Sequence, residues 1–187
     1  MRRFFMLKSG LAYLLVFLLT ALCWFGQATP IAAQPTALPL ETAPIDMASK
    51  SLFSFSGKRP TDLGIKDGKL AVCPGSPNCV SSQAPATDAE HAIAAIAYTT
   101  SPSEAMTSLK SVIQGMERSE IIEESGNYLY AEFTSALMGY VDDVEFYLDE
   151  NQKVIHVRSA SRLGKSDLGV NRKRVEAIRE QLQSLKV

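Results

Sequence analysis

Residues 141–158, VDDVEFYLDENQKVIHVR, contain two stretches in which apolar residues alternate with polar or aromatic ones. Every second position from 144 to 148 is apolar, and the pattern resumes at 155 and 157. A period of two places the apolar residues on one face of a strand. The four polar residues 149–152 allow only a tight connection, which requires antiparallel neighbours. This stretch therefore predicts a hairpin with one buried face.

The same period continues upstream. Leu129, Ala131 and Phe133 alternate with tyrosines and a glutamate, which predicts a third strand beside the hairpin. Short apolar runs at 93–99 and 121–122 predict further strands.

Two segments have apolar residues at helical spacing. The first covers about residues 103–117, with Ser101 or Ser103 as the N-cap. The second covers about 171–185, with Asn171 as the N-cap and Val170 packing on Val175. The predicted buried faces of the two helices are Met106, Leu109, Val112, Ile113, Met116 and Val175, Ile178, Leu182, Leu185.

The order of elements is strand, helix, about four strands, helix. Short connections favour antiparallel pairing. The sequence predicts an α+β fold, a two-layer sandwich of a meander sheet of about four or five strands with two helices on one face.

The amino-terminal region has the pattern of an export signal. Residues 2–8 contain three basic residues and no acid, and an apolar run follows at 11–25. This is typical of a signal peptide over residues 1–28, although an uncleaved membrane anchor stays open. Residues 29–60, rich in Ala, Pro and Thr, are predicted to be a linker, which leaves 61–187 as a single domain.

Charge is unevenly distributed along the domain. Removal of residues 1–28 leaves 16 basic and 20 acidic residues, so general affinity for nucleic acid is not expected. Residues 117–152 contain ten acids and one base, whereas 153–187 contain nine bases and three acids. The two segments either pair within the fold or build a polarised surface.

The face of the sheet opposite the aliphatic residues is polar. Alternation places these residues on it: Tyr128, Tyr130, Glu132, Asp143, Glu145, Tyr147, His156 and Arg158. We consider a solvated face with weak ion pairs and a functional polar groove. A pairing of His156 with Glu145 or Asp143 is geometrically possible across neighbouring strands.

The start of the last helix carries three consecutive cations, residues 172–174. Cations there oppose the helix macrodipole, each at a cost of about 0.3–1 kcal/mol if uncompensated. Either acids from residues 132–145 pair with them, or an external anion binds, since a helix N-terminus flanked by arginines suits phosphate, sulfate or carboxylate.

Common catalytic signatures are missing from the sequence. It has no nucleophile elbow, no phosphate-binding glycine loop and no paired-histidine zinc motif. Asp142 and Asp143 point to opposite faces of a strand, so at most two acids of the Asp142, Asp143, Glu145 group converge. No metal and no cofactor are therefore expected. The sequence favours a non-enzymatic role but leaves enzymatic activity open.

Cys73 and Cys79 enclose the ring CPGSPNC. In an exported chain this spacing predicts a structural disulfide, and its turn-forming residues suit a tight ring. A labile redox pair, a metal site and a catalytic cysteine are the alternatives. The five intervening residues exceed the spacing usual for zinc.

Four blocks resemble one family: CPGSPNCVSSQA at 73–84, AEFTS at 131–135, VDDVEF at 141–146 and VRSASRLGKSDLGVNRKRVEAIR at 157–179. The family is the domain of unknown function numbered 1499, found in bacteria, including cyanobacteria, and in plastids, commonly with export signals or membrane segments. The resemblance implies no reaction, cofactor or substrate. Besides the two cysteines, it indicates as candidate binding positions Asn78, Ser81, Ser82, Asp142, Asp143, Glu145, Arg158, Ser159, Ser161, Arg162, Asp167, Asn171 and Arg172.

Two functions are compatible with the sequence. The first is a non-enzymatic interaction or assembly module in the periplasm or thylakoid lumen, which engages a membrane protein complex and touches the membrane only through its N-terminal segment. The second is a small-anion-binding protein or enzyme, in which Arg158, Arg162 and Arg172 bind the anion and Asp143 or Glu145 moves protons.

Overall fold

A computed structural model describes residues 53–187. The predicted signal peptide and most of the predicted linker lie outside the described residues, and the domain limits stay a prediction. Within the described part, neither helix combines the length and the apolar character needed to cross a bilayer. The elements in chain order are β1 Cys79–Ser81, β2 Ile96–Ala97, α1 Pro102–Gln114, β3 Ser119–Ser125, β4 Tyr128–Thr134, β5 Val141–Asp149, β6 Val154–Ser161 and α2 Val170–Ser184.

The sheet has six strands in the order β1-β6-β5-β4-β3, and β2 also pairs with β6. All of these strand pairs are antiparallel. The predicted α+β class with an antiparallel sheet is therefore confirmed, with more strands than the expected four or five. The unexpected strand is β1, whose three residues directly follow the cysteine ring and are too few to show a period.

One core joins the helices to one face of the sheet. The alternating residues of β4, β5 and β6 belong to the same buried cluster as Leu109, Ile113, Ile178 and Leu182 from the two helices. Burial of each such side chain contributes about 1.5–3 kcal/mol. The predicted contribution of Leu185 is wrong, because this side chain lies past the end of α2 and is 56% exposed.

The two helices begin differently. Ser101 caps α1 in a reciprocal capping box with Glu104. The prediction of Asn171 as the cap of α2 is wrong, since α2 starts one residue earlier after Gly169, whose φ is 78°. The carboxylate of Asp167 accepts instead from the backbone N–H groups of Asn171, at 2.7 Å, and Gly169, at 3.0 Å. Val170 is the first residue of α2 and is exposed, so it does not occupy the position before the N-cap that the predicted staple requires.

The second face of the sheet is covered by the chain itself. Residues 59–70, which we call the covering segment, place Leu63, Ile65 and Leu70 against Tyr128 and Tyr130. The expectation of a solvated face is therefore wrong, because this segment excludes water from it. Sequence periodicity could not predict that residues 59–70 cover this face, because the segment is irregular apart from one bridge between residues 66 and 69.

Cys73 and Cys79 form a disulfide, as the compartment argument predicts. Closure of so small a ring removes unfolded-chain entropy worth about 2–2.5 kcal/mol. Cys79 is buried at the start of β1, whereas Cys73 is half-buried and follows the covering segment. The disulfide therefore ties the covering segment to the edge of the sheet.

Candidate functional site

The predicted site residues separate into three places. Two polar clusters lie on the second face of the sheet, a third lies between the sheet and α2, and the remainder belongs to the cysteine loop. Strand register explains the separation: Glu132 is opposite Asp143 and Glu145 is opposite Arg158, so these residues share a face. Asp142, one residue from Asp143, lies on the helix side.

The Arg162 cluster comprises Arg59, Tyr130, Glu132, Asp143 and Arg162. Nε of Arg162 donates to both oxygens of Asp143, at 3.1 and 2.9 Å, and its Nη2 donates to Asp143, Tyr130 and Glu132. The Tyr130 hydroxyl lies 2.5 Å from an Asp143 carboxylate oxygen and 2.9 Å from a Glu132 carboxylate oxygen, and its single proton is shared between these two acceptors. Arg59 of the covering segment donates to Glu132 at 2.6 Å. The side chains of Arg162 and Asp143 are only 6% and 2% exposed.

This environment shifts the pKa values of Tyr130 and Glu132 in opposite directions. Burial, followed by the hydrogen bond to Asp143, raises the pKa of Tyr130 well above its usual range. Burial acts to raise the pKa of Glu132, but hydrogen bonds from Arg59, Tyr130 and Arg162 outweigh it and the pKa is lowered. Glu132 therefore favours the ionised form and Tyr130 the neutral form, which suits a structural network.

The Glu145 cluster comprises Gly64, Tyr128, Glu145 and Arg158. Glu145 is fully buried, and its Oε1 accepts from Gly64 N at 2.7 Å and from the Tyr128 hydroxyl at 2.9 Å. Arg158 donates to Oε2 at 3.3 Å, and its Nε has no hydrogen-bond partner among residues 53–187. Burial and then the Glu145 charge raise the pKa of Tyr128. The Arg158 guanidinium therefore keeps one N–H donor without a hydrogen-bond partner among the described residues.

The Asn171 cluster lies between β6 and α2. Asn171 is fully buried, and its amide donates to Asn78 O at 3.1 Å and to Ser161 Oγ at 2.9 Å. Its Oδ1 accepts from Ser159 at 2.5 Å and from Arg174 at 2.8 Å. One side chain therefore joins the cysteine loop, β6 and α2.

The two arginines at the start of α2 have partners inside the fold. Arg174 donates to Asp142 at 2.6 Å, as internal pairing predicts. Arg172 instead donates to backbone oxygens of Ala92, at 2.8 Å, and Glu90, at 3.0 Å, so its expected pairing with acids of residues 132–145 is wrong. Because those carbonyls lie in the loop before β2, Arg172 shares no contact with Arg158 or Arg162.

The cysteine loop is held by internal hydrogen bonds. Asn78 is buried and donates to the carbonyls of Ser161, at 3.3 Å, and Gly164, at 2.9 Å. Ser81 is buried and accepts from Gln83 N at 3.2 Å. Ser82 accepts from Val157 N at 2.9 Å. These serines and Asn78 position the loop on β6.

The two histidines occupy contrasting environments. Nδ1 of His91 lies 2.8 Å from the Asp88 carboxylate and Nε2 lies 3.2 Å from the Ser76 carbonyl. Both partners only accept, so the pair favours the imidazolium. His156 lies 3.2 Å from Ser82 Oγ and stacks on Tyr147, so its possible pairing with Asp143 or Glu145 is not formed.

The histidines are expected to give opposite pH dependences of stability. The hydrogen bond to Asp88 raises the pKa of folded His91, so its contribution is complete below about 6.5 and declines as pH rises through the folded pKa. Burial lowers the pKa of His156, so its neutral form stabilises above about 6.5 and the folded state loses stability as pH falls.

Urea unfolding at pH 5–8 of His91→Gln and His156→Gln variants checks this expectation. Relative to wild type, the free energy of unfolding of His91→Gln should be reduced most at pH 5. That of His156→Gln should be reduced least at pH 5. Parallel stability profiles for all three proteins would contradict it.

Sequence reasoning missed several partners in these clusters. Arg59 and Gly64 come from the covering segment, and Arg59 was assigned to the linker. Arg174 was counted only as a helix-start cation. Their contacts depend on long-range chain placement, so composition carried no signal for them. Residues 53–187 contain no group of three His, Cys, Asp or Glu side chains suited to a metal.

An exposed apolar surface lies where the described chain begins. We call it the aromatic patch: Phe53, Phe55, Leu137, Tyr140 and Leu163, which are 54, 45, 60, 41 and 42% exposed. The rings of Phe55 and Tyr140 are 5.7 Å apart, and Phe55 N donates to Met138 O at 3.2 Å. Gly57 lies against Leu163. Two loops and the first described residues thus meet at one surface.

The two helices and the six-stranded antiparallel sheet define an α+β fold. The sequence pattern of the family described as Protein of unknown function (DUF1499) matches residues 69–182, and the chain belongs to this family. No curated protein matches the chain. No solved structure matches it.

Proposed function

We propose that this chain is an exported, non-enzymatic interaction module that docks through its aromatic patch onto a protein partner at the membrane surface. The aromatic patch is the observation that carries the proposal. Large apolar side chains that cluster on a surface, with aromatic rings among them, are typical of the centres of protein interfaces.

The position of the patch favours the membrane surface. The patch begins at residue 53, downstream of the apolar run at 11–25 and the predicted linker. Whether the predicted export signal is removed or retained, the patch is the surface closest in sequence to it. Retention of that segment as an anchor would tether the patch to the membrane through the predicted linker.

The buried clusters support a binding role over catalysis. Arg162 and Asp143 neutralise each other, and Glu145 is fully buried. A general base must reach a substrate proton, and these carboxylates have protein donors around them instead. The alternative, an anion site made by Arg158, Arg162 and Arg172, is disfavoured because Arg172 contacts a different part of the fold.

Site-specific photo-cross-linking tests the proposal. A benzophenone amino acid replaces Phe55 in the full-length chain, which is then irradiated in native membranes and analysed by mass. We expect a discrete adduct with one membrane-associated protein. The matched control places the probe at position 185, where Leu185 is 56% exposed but outside the patch.

Equal adducts at positions 55 and 185, or only free monomer at both, would contradict the proposal. Phe55→Ser with Tyr140→Ser should abolish the adduct formed by a third probe at position 137. The double variant should keep the wild-type melting temperature, since both side chains are substantially exposed.

A further inference from the structure

A cleft of about 290 Å³ lies beside the cysteine ring, away from the residues of the aromatic patch. One wall is the chain from the end of the covering segment to the first cysteine, residues 69–73. The floor includes Ser81 of β1, and the other wall is the loop 83–91. The cleft is therefore enclosed by three segments that the disulfide and β1 hold together.

The walls are fixed before any ligand arrives. Gln83 crosses from one wall to the other, accepting from Leu70 N at 2.8 Å and donating to Gly68 O at 3.0 Å. His91 contacts the carbonyl of Ser76 inside the cysteine ring at 3.2 Å. Binding sites for small molecules are usually preformed in this way, which reduces the ordering cost.

The lining is mostly apolar with a few polar groups. Its carbon surface comes from Leu70, Ala71, Val72, Ala84 and Pro85. Such a lining suits the apolar body of a ligand. The volume lies at the low end of the range for ligand pockets, about 300 Å³, so the ligand is small.

The charges at the cleft favour an anionic group. Asp88 is paired with His91, which leaves Lys69 as the lining charge with no ion-pair partner among the described residues. Arg158 is the cross-strand neighbour of Ser81 in the floor. It is only 8% exposed, and its Nε has no partner within residues 53–187. Lys69 is thus the cation that a ligand in the cleft can reach, whereas Arg158 lies buried behind Ser81 and pairs with Glu145.

We propose that this cleft binds a small amphipathic monocarboxylate, with its hydrocarbon body between Leu70 and Pro85 and its carboxylate at Lys69. A carboxylate accepts charge-assisted hydrogen bonds from an ammonium group, and the apolar body leaves water for the carbon-lined walls. This site is separate from the protein interface proposed above, so each proposal succeeds or fails independently.

Octanoate is the probe, titrated into the ¹⁵N-labelled full-length protein with the disulfide formed. We expect saturable amide shifts confined to residues 69–73 and 81–91. Lys69→Gln should weaken octanoate binding about tenfold and leave binding of the uncharged analogue 1-octanol unchanged.

Ala71→Trp, which fills the cleft, should abolish both interactions. The matched control is Ala86→Trp, an exposed position in the same loop that does not line the cleft. It should bind octanoate as wild type does. Ala84→Trp is a second filled variant should Ala71→Trp fail to fold.

Three results would overturn the proposal: no saturable shifts up to millimolar octanoate, shifts outside the cleft, or undiminished binding in a folded filled variant. Equal loss of octanoate and 1-octanol affinity in Lys69→Gln would overturn the assignment of the carboxylate to Lys69.

Discussion

Arg162→Ala is expected to lower the free energy of unfolding by about 3–5 kcal/mol. The substitution removes the guanidinium that donates to Asp143, Glu132 and Tyr130, and Asp143 is only 1% exposed. A buried carboxylate without its cation keeps its desolvation penalty and loses its compensation. Urea unfolding monitored by circular dichroism at pH 7 measures the difference.

The matched control is Lys110→Ala, which breaks an ion pair with Glu124 whose side chains are 39% and 46% exposed. It should cost about 1 kcal/mol or less. Adding Asp143→Asn to Arg162→Ala should recover part of the loss, because the uncompensated charge is removed. A loss for Arg162→Ala as small as that for Lys110→Ala would refute the assignment of a structural role to this cluster.

Asn171→Ala is expected to destabilise the fold by about 3 kcal/mol, since it removes four hydrogen bonds made by a fully buried side chain. The groups that lose Asn171 are the Asn78 carbonyl, the Ser159 and Ser161 hydroxyls and the Arg174 guanidinium. Asn171→Asp should not restore stability, because it keeps the acceptor but lacks both amide donors. Chemical denaturation of the variants checks both statements.

Asn151→Ala is the matched control for this substitution. Asn151 lies exposed in the β5–β6 hairpin, where its backbone N–H donates to Asp149 at 2.8 Å, a contact that alanine retains. The change should stay within about 0.5 kcal/mol. Equal effects at positions 151 and 171 would show that Asn171 does not organise the junction.

The sheet could be predicted because its signal is local and repeated. The alternation in β4, β5 and β6 fixes which residues share a face, so Glu132, Asp143, Glu145 and Arg158 were correctly placed on one side. The α1 boundary followed from Ser101 and Glu104, which are three positions apart and form a local motif.

The partners of these residues were harder to predict because they are far apart in sequence. Glu132 meets Arg59 across 73 positions, and Glu145 meets Gly64 across 81. No periodicity links an irregular segment to the strand that it covers. The predicted start of α2 was wrong for a related reason. Asn171 is a favourable N-cap by residue type, but its tertiary hydrogen bonds place it within the first turn of the helix.

The disulfide was predicted in a different way, from the compartment that the amino-terminal signal pattern indicates. The cysteine pairing was inferred from the expected compartment together with the turn-forming ring residues, and the disulfide is formed. The compartment itself stays a prediction, since residues 1–52 lie outside the described part of the chain.

The covering segment has a practical consequence for how this family is delimited. The family match begins at residue 69, ten positions after Arg59 and five after Gly64. A recombinant fragment cut at that boundary would expose Tyr128 and Tyr130 to water and would deprive Glu145 of its backbone donor. Such a fragment should be prone to aggregation and easily digested by proteases, although it would contain nearly every residue by which the family is recognised. The smallest unit that can be produced in soluble form therefore begins upstream of Arg59.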